Sequence, residues 1–150
     1  MKKNALIVML VILAAFLIPS AYLSFTGKAT GIGASDSVTV PVSDIGTTAK
    51  FYEYTSLEGK TVRFFAVKDS TGTIRTAFDA CDVCYSFHKG FRQEGGYMVC
   101  NNCGKKYAID TIGTQNKAGG GCWPGYLPST VSGDSLLVKK ADLEAGAWRF

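Results

Sequence analysis

The chain has 150 residues, a formal net charge of +4, 47% hydrophobic residues, five cysteines and one histidine. Part of that small charge belongs to Lys2 and Lys3, so the composition lacks the clustered basic face of a nucleic-acid binder. A single histidine leaves no nucleophile, base and orienting acid to assemble, and Gly119-Gly120-Gly121 lacks the Lys-Ser/Thr of a phosphate loop.

From Ala5 to Phe25 no residue is charged and nearly all are apolar. At a helical rise of about 1.5 Å per residue this stretch spans about 30 Å of hydrocarbon, which predicts one membrane-crossing helix. Lys2 and Lys3 precede it and no basic cluster follows closely, so the amino terminus is expected in the cytoplasm and the remainder outside the cell membrane. The rival reading is a cleaved signal peptide, for which Pro19-Ser20-Ala21 is a poor cleavage site. An acylated amino-terminal cysteine is excluded, because no cysteine lies near residue 20. The chain thus divides into an anchor or signal segment (1–27), a linker (28–37) and one cysteine-bearing domain (38–150) with enough residues for its own core.

Within that domain the pattern is mostly that of strands. Ser37 to Val42 alternates with period two, and Pro41 places it at a sheet edge. Lys50 to Thr55 reads as a second strand and Thr61 to Val67 as a third. Lys68-Asp69-Ser70-Thr71-Gly72 is turn chemistry that folds the third strand onto Thr73 to Phe78, making a hairpin that delivers the chain into Cys81. Gly95-Gly96 opens a short strand, Tyr97 to Val99, that ends at Cys100; two hairpin ends are expected to face each other across one metal. Ser135 to Val138 reads as a strand and Lys140 to Ala145 as a short helix stopped by Gly146. The many aromatics before the second cysteine pair are expected to form the core. The predicted fold class is a mainly β domain with hairpin-borne cysteine knuckles plus one N-terminal transmembrane helix.

All five cysteines lie between residues 81 and 122. Cys81-x-x-Cys84 and Cys100-x-x-Cys103 are separated by fifteen residues. That spacing is the pattern of a tetrathiolate metal site, since a two-residue gap lets one tight turn aim two sulfurs at one ion. Soft thiolates suit either an iron–sulfur centre or Zn2+, and the spacing alone does not separate them. Cys122, beside glycines that permit close backbone approach, is a fifth candidate for ligand or exchangeable position; its bland reading is a buried small residue packed by Trp123 and Pro124. His88 is a possible but unfavoured ligand, a lone histidine in a polar loop. Asp79 and Asp82 flank Cys81 and read as turn caps.

Rieske coordination needs two histidines, and c-type haem needs a histidine where Tyr85 and Gly104 stand. Disulfides suit an extracytoplasmic domain, but five is an odd number. A C-x-x-C closed on itself gains little loop entropy and is reducible, so a thiol–disulfide relay is a further alternative.

Several runs resemble the FtrD-like family of membrane iron–sulfur proteins: Ile74-Arg75-Thr76-Ala77-Phe78-Asp79-Ala80-Cys81-Asp82-Val83-Cys84, Gly90 to Gly95, Val99-Cys100-Asn101-Asn102-Cys103-Gly104, and Ile112 to Pro124. The resemblance covers roughly residues 38 to 150. It implies an iron–sulfur or ferredoxin-like component associated with a membrane, with a permease or redox protein as partner in iron transport. Larger relatives carry several membrane helices, so a built-in channel is not expected here. The expectation is an electron carrier rather than a stand-alone enzyme, with a structural zinc ribbon or metallochaperone as the contrasting class.

Overall fold

The computed structural model describes residues 35–116 and 121–150. The predicted membrane span, residues 5–25, lies outside them. Among the described residues no helix is long and apolar enough to cross a membrane.

Among the described residues, ten strands form three antiparallel sheets. The central sheet has the order β2 (Lys50–Thr55), β3 (Thr61–Lys68), β4 (Ile74–Cys81) and β8 (Pro124–Tyr126). A second sheet joins β1 (Ser37–Pro41), β10 (Ser135–Lys139) and β9 (Thr130–Ser132). The third is a meander of β5 (Phe91–Glu94), β6 (Tyr97–Cys100) and β7 (Lys106–Ala108). Helix α1 (Lys140–Gly146) follows β10 directly and continues into a 3-10 turn, Ala147–Arg149. β1 lies at the edge of its sheet, as Pro41 requires, because proline has no N–H to give to a second neighbour.

β3 is buried on both faces. Val62, Phe64, Phe65, Ala66 and Val67 are all fully buried, so both of its faces are covered. Phe65 and Val67 point into a core shared with Ala77, Phe91, Met98, Tyr107 and Ile112. On the opposite face Val62 and Phe64 pack with Phe78, Leu127, Val138 and Leu143. α1 reaches this second core through Gly146, where a Cβ would overlap the Phe78 ring; only glycine lets the helix approach so closely. The expectation that the aromatics form the core holds for Phe64, Phe65, Phe78 and Phe91, whereas Phe51, Phe87 and Tyr97 are exposed.

Asp69 holds the hairpin between β3 and β4. Its Oδ1 accepts from the backbone N–H groups of Thr71 and Thr73, both at 2.9 Å, and from Thr71 Oγ1 at 2.7 Å. Its Oδ2 pairs with Arg75 Nε at 2.8 Å. These donors, the Thr71 hydroxyl first, favour the charged form and lower the carboxyl to about 2. A carboxyl so lowered stabilises the fold above its ordinary titration near pH 4, and that contribution is lost as pH falls from about 4 to about 2. Asp69→Asn should therefore lower the melting temperature at neutral pH and flatten its decline between about pH 4 and 2, as thermal melts across that range would show.

Candidate metal centre

Three chain segments bring the thiols together. Cys81 is the last residue of β4, and Cys84 follows in the turn that leads into a 3-10 turn at Tyr85–Phe87. Cys100 is the last residue of β6, and Cys103 sits in the tight turn before β7. Cys122 lies two residues before β8, whose register sets Pro124 opposite Cys81. The second knuckle therefore closes a hairpin, as the sequence predicted. The first instead carries the chain from the central sheet to the meander, and its missing hairpin partner is supplied by β8.

The Sγ atoms of Cys81, Cys84, Cys100 and Cys122 all lie within 4.8 Å of one another. Cys122 Sγ is 2.8 Å from that of Cys81, 3.4 Å from that of Cys103 and 3.9 Å from that of Cys84. All five are free thiols. Cys81 and Cys100 are buried, Cys84 and Cys122 are half-buried, and Cys103 is exposed. The backbone N–H of Cys84 donates to Cys81 Sγ at 2.8 Å, the N–H···S contact that a C-x-x-C turn provides to a thiolate.

The position of Cys122 is fixed through its backbone. Its carbonyl accepts from the Tyr107 hydroxyl at 2.5 Å and from Lys105 Nζ at 3.3 Å. Next to it, the Trp123 carbonyl accepts from Asp82 N–H at 2.9 Å. Tyr107 packs edge-on against both Trp123 and Phe91, which anchors this arrangement in the core. Burial pushes the Tyr107 hydroxyl well above its usual range, so it remains a donor. Burial also raises the Cys122 thiol, with the Cys81 sulfur as the next cause. Cys103 is lowered to about 7, chiefly by the Lys105 backbone N–H.

Asp79 does not cap a turn. It is buried within β4, where Oδ1 accepts from Phe91 N–H at 2.6 Å and Oδ2 lies 3.3 Å from Arg63 Nε. Its carboxylate thus ties the segment after the first knuckle to the central sheet. Burial raises its carboxyl, against the lowering by Phe91 and Arg63. Asp82 instead pairs with Arg149 at 3.2 Å, and Arg149 is stacked 4.2 Å from the Trp148 ring. His88 is exposed, in a left-handed conformation at φ 52°, and stands outside the four-sulfur group. Arg63, His88, Lys89 and Arg149 line the narrow space beside Cys81, Cys84 and Cys100, with Asp79 as the acidic side chain there.

This donor set suits a soft metal. Four thiolates provide the ligand number and type for iron or zinc, and the neighbouring cations offset the negative charge of such a site. A family model described as membrane iron-sulfur containing protein FtrD-like matches residues 45–150. No curated protein and no solved structure matches the chain.

Gly90 marks the point where the first knuckle meets the sheet. Its φ is 62°, and a Cβ there would collide with the Asp79 carboxylate. Gly90→Ala should therefore cost roughly 1–3 kcal/mol or more, read from the urea midpoint, by combining left-handed strain with displacement of Asp79. Gly96→Ala meets open space without a left-handed backbone and should change stability by less than about 0.5 kcal/mol.

Proposed function

The chain belongs to the FtrD-like family of membrane iron–sulfur containing proteins, and from that premise we propose that it is an electron carrier anchored outside the cell membrane and serving iron transport. The observation that carries this reading is the convergence of the thiols at one edge of a packed core. Cys81 and Cys100 are rooted in the interior, Cys84 and Cys122 are half-buried, and Cys103 reaches solvent. When bound there, iron supplies a one-electron change at nearly constant coordination. The chain's own part is to hold the sulfurs rigidly, through β4, β6 and β8, and to keep the site near the surface, within reach of a membrane permease or redox protein. The expected topology, with residues 1–27 as anchor and the amino terminus in the cytoplasm, follows from the charge and hydropathy of the sequence.

A second reading, a structural zinc module or metallochaperone, is favoured by the closeness of the four sulfurs, which suits zinc as well as iron. A thiol–disulfide relay is less well supported. The close approach of Cys81 to Cys122, at 2.8 Å, joins two chain segments and lies in neither C-x-x-C.

Full-length protein purified without oxygen should be coloured, with visible absorption bleached by dithionite and restored by mild oxidation. Colourless protein carrying one zinc per chain would overturn the electron-carrier reading. Thiol counts that change in pairs on mild reduction, with no metal present, would favour the relay.

A further inference from the structure

We infer that the centre holds one metal ion in the four thiolates of Cys81, Cys84, Cys100 and Cys122, without bridging sulfide, and that Cys103 stands outside this set. The inference rests on the reading above only in taking the metal to be iron. It goes beyond that reading in fixing the number of metals and the ligands, and it departs from the sequence expectation that the two C-x-x-C pairs form the tetrad.

The distances carry the first part. A tetrahedral ion with metal–sulfur bonds of about 2.3 Å sets its thiolates about 3.8 Å apart. Cys122 and Cys84 already stand at 3.9 Å, and no pair among the four exceeds 4.8 Å. A sulfide-bridged cluster places a second iron and inorganic sulfide between thiolates bound to different irons. Those thiolates must then lie well beyond a single tetrahedron edge, farther than the four sulfurs here extend. An entering ion needs only to part Cys81 from Cys122, now 2.8 Å apart, by about 1 Å.

Position decides the second part. Cys122 Sγ lies 2.8 Å from that of Cys81 and 3.9 Å from that of Cys84, and within 4.8 Å of that of Cys100, so it stands among the other three ligands and not beside them. Its carbonyl is held by Tyr107 and Lys105, and the adjoining β8 is held by β4. Leaving Cys122 out would put a half-buried thiol between the bound sulfurs. Cys103 also touches this group, 3.4 Å from Cys122 Sγ and in contact with the sulfurs of Cys84 and Cys100, but it falls outside the four that all lie within 4.8 Å of one another, and it is the exposed member, carried on a tight turn.

Iron and acid-labile sulfide should be measured on full-length protein purified without oxygen, together with the spectra of single cysteine variants. The expected result is about one iron and no labile sulfide per chain, with a high-spin ferric electron paramagnetic resonance signal in the oxidised form. Cys103→Ala should retain its iron and spectrum, and Cys122→Ala and Cys122→Ser should lose at least about nine-tenths of the iron. Labile sulfide equal to or exceeding iron would overturn the single-ion site. Retention of iron by Cys122→Ala, with its loss in Cys103→Ala, would overturn the ligand assignment. If the Cys122 variants fail to fold, the wild-type iron-to-sulfide ratio still decides the first part, and loss of iron from folded Cys103→Ala overturns the second. One zinc, with neither iron nor sulfide, would leave the single-ion site standing and overturn the electron-carrier reading.

Discussion

The pairing of β4 with β8 is the constraint on which the site depends. It places Cys122 beside Cys81 across 41 residues of chain, and the hydrogen bond from Asp82 N–H to the Trp123 carbonyl fastens the two strands where the sulfurs emerge. Such crowding has a direct electrostatic consequence. Two thiolates about 4 Å apart repel by on the order of 4 kcal/mol at an effective dielectric constant of 20. Four sulfurs this close therefore stay protonated or share a cation. Arg63, Lys89 and Arg149 line the space beside three of these sulfurs and soften the repulsion, and a metal ion bound by the thiolates would offset it further.

The remainder of the domain keeps that edge rigid. Phe65 and Phe91 are buried together, and Phe91 meets Tyr107, whose hydroxyl holds the Cys122 carbonyl. Asp79 carries the same function to the other knuckle, linking β4 to the start of β5 through Phe91 N–H. Each cysteine pair is thus fastened to the core that contains Phe65. Little reorganisation of ligands between oxidation states is what an electron-transfer site needs, and rigid attachment of this kind favours it.

Much of this was legible in the sequence where periodicity is strong. Lys50–Thr55 matches the predicted second strand, and the hairpin of β3 and β4 follows from the turn chemistry between them. β4 runs three residues past the predicted Phe78, because it keeps pairing with β8 as far as Cys81. β5, β7, β8 and β9 were not predicted. Each has only three or four residues and exists through its neighbours, too short for a period of two to register. β8 even begins at a proline, which local propensity reads as a break. The cysteine spacing located the centre, but it favoured the two C-x-x-C pairs. The long-range register of β8 carries the Cys122 sulfur, which the sequence offered as a fifth candidate, in among the others, and Cys103 is the exposed member. The turn-cap reading of Asp79 failed for the same reason: its partners, Phe91 and Arg63, are brought to it by tertiary structure.

X-ray absorption at the iron edge, on anaerobically purified full-length protein, tests the central claim most directly. The account predicts one shell of four sulfurs at about 2.3 Å and no scattering from a second iron. A resolved iron–iron distance would contradict it.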